Sequence, residues 1–176
     1  LRVGGVAAIS SVQTNIVIGA ATALAGLYGG TAALAGFGTG ARLEYLLIPL
    51  VFGIGTPLVA LVGTNIGAGQ RERALRIAWC GGALTFAVTE AIGLAAALWP
   101  EAWIALFDRD PAVIAAGSAY LRAVGPFYGF FGLGLGLYFA SQGAGRLLWP
   151  LLAGLLRMAV ALGGGWLALR LTGSLT

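Results

Sequence analysis

The sequence has no histidine and no lysine, a single cysteine (Cys80) and six acidic residues among 176. Each shortage excludes something. Without histidine the commonest general base and metal ligand is missing. One cysteine allows neither a disulfide within the chain nor a thiolate metal cage, so no metal and no cofactor are expected. An intramembrane enzyme would need a serine with a base, paired aspartates or metal ligands. Asp108 and Asp110 instead share one loop, so no enzyme is expected. Charged residues make up only 9%, against about 25% in a soluble domain. That is too little polar surface to coat a water-soluble globule. The ten basic residues are all arginine, the net charge is +4, and they are scattered without a basic run. That spacing argues against a nucleic-acid partner and for a membrane protein whose positive charges mark the cytoplasmic side.

What is present is apolar. Hydrophobic residues reach 59% and the mean hydropathy is +0.93. Thirty glycines lie among Leu, Ala and Val, a composition that suits closely packed helices in lipid. Five stretches are long enough to span a bilayer, which needs about 20 apolar residues. They run over 3–28, 42–66 (with a possible start at Thr31), 77–99, 118–140 and 147–169. The runs are continuous and lack the ~10-residue alternation of barrel strands, so they are expected to be helices. The fold class is therefore an all-α polytopic membrane protein, and residues 1–176 form a single transmembrane lobe.

Polar connections orient the lobe. The turn Gly67-Ala68-Gly69-Gln70-Arg71-Glu72-Arg73, followed by Arg76, carries the densest positive charge and belongs in the cytoplasm. Counting spans puts Gly143-Ala144-Gly145-Arg146 and Arg2 on the same side. Residues 99–111 then lie outside, with Trp99, Trp103 and Phe107 as interfacial aromatics. Asp110-Pro111 reads as an N-cap and first helical residue. Arg42, Arg109 and Arg170 also fall outside, so the bias is partial. Asn65-Ile66-Gly67-Ala68-Gly69-Gln70 and Ser141-Gln142-Gly143-Ala144-Gly145-Arg146 form a faint internal repeat. It fits either a duplicated transporter hairpin or the general habit of ending helices at glycine.

The stretch from Gly53 to Ala74, with Val62-Gly63-Thr64-Asn65-Ile66-Gly67-Ala68-Gly69 at its centre, resembles the multidrug and toxic-compound extrusion (MATE) family. Ala32-Ala33-Leu34-Ala35, Asp110-Pro111-Ala112-Val113-Ile114, Tyr120-Leu121-Arg122 and Gly143-Ala144-Gly145-Arg146 fit the same pattern. The resemblance covers nearly the whole chain. It implies helices 7–11 of a twelve-helix transporter, with the first lobe and the last helix absent. It also implies export of a small organic cation by antiport with protons or sodium ions, in a bacterial inner membrane, with the N-terminal lobe of the same chain and the lipid bilayer as partners. Some members carry a glutamate on the first helix, here Gln13, and an aspartate between Phe127 and Tyr138, where this chain has none. Those departures move the coupling acid to the first lobe.

Few residues within the spans can carry chemistry. A mid-membrane charge costs about 2.5–3.5 kcal/mol on insertion scales. Counting ~1.5 Å per residue puts Arg157 near the membrane centre, Glu90 roughly 20 Å from the inner boundary and Glu44 roughly 33 Å from it. Arg157 either pairs with a carboxylate, Glu90 first and Glu44 second, or only snorkels or binds backbone carbonyls. A carboxylate removed from water holds its proton more readily, so Glu44 and Glu90 are candidate proton carriers. For Glu44 the alternative is an interfacial ion pair with Arg42. Ser10, Ser11, Gln13, Thr14 and Asn15 make a polar stripe, either for ligand contact or for hydrogen bonds between helices. Pro49, Pro57 and Pro126 are candidate hinges. Phe127, Tyr128, Phe130, Phe131 and Tyr138 could offer faces to a cation. Gly67, Gly69, Arg71 and Arg73 define the cytoplasmic turn. A lipid-linked oligosaccharide flippase of related architecture is a competing reading, but its pyrophosphate would need several deep basic residues and only Arg157 is deep. A non-transporting membrane subunit is another. A reporter fused after Gln70 is expected to read as cytoplasmic; a periplasmic signal overturns this topology.

Overall fold

The computed structural model describes residues 2–172, which are helices joined by short turns. Several side chains near the two ends are outside the description, among them Ser10, Ser11, Gln13, Thr14 and Arg170. The elements are α1 (Arg2–Gly67), α2 (Arg71–Leu98), α3 (Pro100–Ile104), α4 (Pro111–Val124), a 3-10 turn (Gly125–Phe127), α5 (Tyr128–Gly143) and α6 (Leu148–Thr172). α1 is two helices in sequence, because Gly30 has φ 71 and ψ −170. A side chain at that φ would be strained, so glycine is the residue that permits the break. Three stretches are long and apolar enough to cross a membrane among the described residues: Gly30–Gly67, Arg71–Leu98 and Pro111–Gly143.

The chain forms two compact units. One comprises residues up to Leu34 together with those from Leu147 onward; the other is Ala35–Arg146. The second holds α2 to α5 and most of the second half of α1. Near one end Leu43, Leu47, Ala96, Ile104, Leu121 and Tyr128 form its core, and a further cluster is built on Leu58, Val62, Ala74 and Ala140.

Several boundaries differ from the sequence expectation. α2 starts at Arg71, so Arg71, Arg73 and Arg76 lie in its first turns and not in a loop before it. The fourth span is two helices, α4 and α5, joined by a 3-10 turn containing Pro126. Proline supplies no N–H to the ladder, and the tighter turn takes up the mismatch. Pro49 and Pro57 lie inside α1, where the backbone angles stay helical. The loop over 99–111 contains the unanticipated α3, with Pro100 at its start. Trp103 of α3 donates its indole N–H to the Thr39 carbonyl at 3.2 Å and tucks the short helix against α1. Asp110 caps α4 as expected, accepting from the Ala112 N–H at 2.8 Å.

The two Gly-Ala-Gly corners share one geometry. Gly69 and Gly145 have φ 76 and 68. The N–H of Gln70 reaches the Asn65 carbonyl, and that of Arg146 reaches the Ser141 carbonyl, both at 2.9 Å. Gly69 to Ile66 and Gly145 to Gln142 add the inner bonds, both at 3.0 Å. This paired closure with a left-handed glycine is the Schellman cap. It explains why Gly-Ala-Gly ends both helices.

α2 and α5 pack along a stripe of small residues. Gly129, Gly132 and Gly136 recur at helical spacing on α5. A Cβ at Gly132 would lie 2.6 Å from the Thr85 carbonyl and also clash with the Thr89 hydroxyl, and one at Gly136 would strike the Thr85 hydroxyl. Thr85 and Thr89 are fully buried. Their hydroxyls donate within α2, to the Gly82 and Thr85 carbonyls at 2.9 and 2.8 Å, so the backbones can approach without stranding a polar group. Gly132→Leu is expected to destabilise the unit by about 2 kcal/mol or more through overpacking. Gly134→Leu, which points into open space, should leave stability unchanged. Thermal unfolding in detergent compares the two.

Candidate functional site

Two carboxylates meet the α4–α5 junction from different helices. Glu44 of α1 is half-buried and receives two hydroxyls on one oxygen, Tyr120 Oη at 2.8 Å and Tyr128 Oη at 3.3 Å. Glu90 of α2 accepts the backbone N–H of Gly129 at 2.6 Å. That N–H belongs to the first turn of α5, where it has no partner within the helix. Glu90 thus caps α5 from a neighbouring helix. Gly129 allows the approach, because a Cβ there would sit 2.6 Å from the Glu90 oxygen. Tyr128 and Gly129 are consecutive, so the junction is held from two sides by two acids.

The anchoring chain extends outward. Arg42 places its guanidinium 4.9 Å from the centre of the Phe107 ring, and Phe107 stacks edge-on with Trp103 at 5.2 Å. Tyr120 packs edge-on against Phe37 at 5.1 Å. The expected ion pair of Glu44 with Arg42 does not form. Residues two apart on a helix point to different faces, and each finds its own partners. The ion pair recorded among the described residues is Arg122–Glu101, at 3.8 Å and exposed. Such a surface pair adds little stability.

The remaining candidates divide between the units. Arg157 lies on α6 with an exposed side chain, in the unit that does not contain Glu44 or Glu90. Asn15 is exposed on α1 in that same unit and takes part in a polar interaction. Gln13 is outside the described side chains. Of the aromatics, Tyr128 is buried and turned to Glu44 while Phe127 and Phe130 are exposed. Ser118 is buried with no hydrogen-bond partner for its hydroxyl.

Reading residues singly missed the tyrosines. Tyr128 stood out only for its ring, and Tyr120 only for its place in a motif. The available signal was the need of a lone intramembrane acid for donors, met by two tyrosines flanking Pro126. Glu44 and Glu90 also differ in depth when counted along straight spans, yet they grip adjacent residues, because a tyrosine side chain spans part of that difference.

Chemically, the arrangement offers a protonatable oxygen between two hydroxyls and a carboxylate on a helix end. Tyr120→Phe is expected to lower stability by about 0.6–1.7 kcal/mol, the range for hydrogen bonds between membrane helices. In a Glu44→Ala background the same change should cost nearly nothing. A double-mutant cycle followed by unfolding in mixed micelles measures the coupling; additive effects would mean the hydroxyl does not act through Glu44.

The MatE family matches residues 7–167. A probable multidrug resistance protein NorM from Thermotoga maritima is 31% identical over 126 residues, 72% of this chain and 27% of that protein. An FAD transporter from Shewanella oneidensis is 29% identical over 101 residues, 57% of this chain and 22% of its own length. The matched region therefore spans about a quarter of the length of these curated relatives. No solved structure matches the chain significantly. With its long apolar helices and a match over nearly its full length, this integral membrane chain belongs to the MatE family.

Proposed function

We propose that the chain is one lobe of a secondary active transporter that exports small organic cations in exchange for protons or sodium ions. The observation that carries this reading is the 31% identity to the probable multidrug resistance protein NorM. A second lobe, of the kind the longer relatives have room for, would complete the cavity, and a bacterial inner membrane would supply the gradient.

Glu44 supports the proton version. A carboxylate flanked by two hydroxyls can be neutral or charged without losing its partners, because a hydroxyl both donates and accepts. Protonating Glu90 would weaken its bond to the Gly129 N–H, since a charged acceptor makes the stronger hydrogen bond. Such a change would act on the α4–α5 junction, where a 3-10 turn at Pro126 already interrupts the helix.

The second relative is named for transporting FAD, which gives a second reading: an organic anion as cargo. Efflux from cells expressing the full-length gene separates the two. Cationic-dye efflux that stops when one of the sodium or pH gradients is collapsed is the expected result. Efflux indifferent to both gradients defeats antiport. Export of FAD without dye efflux selects the anionic cargo.

A further inference from the structure

Two adjoining cavities lie at the Gly-Ala-Gly corner between α1 and α2, and they share Arg73 and Arg76. The first, about 660 Å³, is polar and lined by Gly69, Gln70, Arg71, Glu72, Arg73 and Arg76. It sets three guanidiniums against one carboxylate. None of the three is ion-paired among the described residues, and Arg73 has only the Gln70 amide oxygen, at 3.5 Å. The second, about 550 Å³, is an apolar groove between α1 and α2. Ile54, Pro57 and Leu61 line it from α1, and Ile77, Cys80 and Leu84 from α2. Each set recurs at spacings of three and four residues, which puts it on one helix face.

We propose that these two cavities together bind one anionic phospholipid, its phosphate held by Arg73 and Arg76 and an acyl chain laid in the groove. Guanidinium is the side chain suited to phosphate, because its planar fork donates two parallel hydrogen bonds. The dimensions agree. From Arg73 to Leu84 the groove follows α2 for eleven residues, about 16 Å at 1.5 Å per residue. Half of a ~30 Å hydrocarbon core is about the same. With the guanidiniums at headgroup level, the groove therefore reaches roughly to the membrane midplane.

The groove is open to that occupant. Leu61 and Leu84 are about half exposed, at 51% and 52%, and Cys80 is exposed. All belong to helices long and apolar enough to cross a membrane, which suits an acyl chain as the occupant. Any lipid tail would wet this face. The unpaired arginines at its mouth select a headgroup with net negative charge over a zwitterionic one, as basic clusters beside membrane helices do. The site is independent of whichever cargo is transported.

The test uses the full-length protein, delipidated in detergent and then offered phosphatidylglycerol, phosphatidylcholine or inorganic phosphate. Retained lipid is counted by native mass spectrometry and the melting temperature is recorded. Phosphatidylglycerol is expected to be retained preferentially and to raise the melting temperature. Arg73→Gln with Arg76→Gln should lower that retention roughly tenfold or more, whereas Arg109→Gln, at an exposed arginine in the α3–α4 loop, should not. Cys80→Trp, which fills the groove and leaves the guanidiniums in place, should also lower it. Equal retention of the two lipids, stabilisation by inorganic phosphate alone, or retention unchanged in either the arginine or the Cys80 variant overturns the proposal.

Discussion

In hydrocarbon a backbone N–H or C=O has no water to turn to, so each must be satisfied inside the protein. Long helices meet that demand along their length and fail at their ends and breaks. This chain's distinctive features lie at those weak points. Both Gly-Ala-Gly corners close their last carbonyls with a left-handed glycine and two cross-bonds. α4 opens on an aspartate that takes the Ala112 N–H. Where α4 gives way to α5 inside the span, the freed Gly129 N–H is taken by Glu90. A charged residue in a costly position is thereby tied to a backbone group that would otherwise be unsatisfied.

The same demand accounts for the glycine. Without a hydrophobic force between helices in lipid, close packing and local hydrogen bonds hold a bundle together. The α2–α5 stripe brings glycines against threonines whose hydroxyls bond back to their own helix. Close approach lets Glu90 reach the α5 backbone. Glu44 and its two tyrosines brace the α4–α5 junction from α1. The geometry links one carboxylate oxygen of α1 to tyrosines on α4 and α5.

The ends of the Ala35–Arg146 unit have different chemistry. At one, Trp103, Phe107 and Arg42 form an aromatic and cationic edge around α3. At the other, three arginines stand over an apolar groove. Counting spans from the positive-inside rule assigns the first to the outer interface and the second to the cytoplasm.

Much was legible in the sequence because lipid acts on bulk properties. Low charge, long apolar runs and glycine content determine that the chain is a helical membrane protein, and the Gly-Ala-Gly hexapeptide and the Asp110-Pro111 pair mark helix ends whose chemistry is local. The partners of the intramembrane acids were not legible. Glu44 sits 76 residues before Tyr120, and Glu90 39 before Gly129, and nothing in either neighbourhood names the other. The nearby choice, Arg42 for Glu44, fails because two residues along a helix is the wrong angle. Local physics decides where helices start, stop and turn; which side chains meet depends on how the faces of separate helices come together, and only the folded bundle decides that.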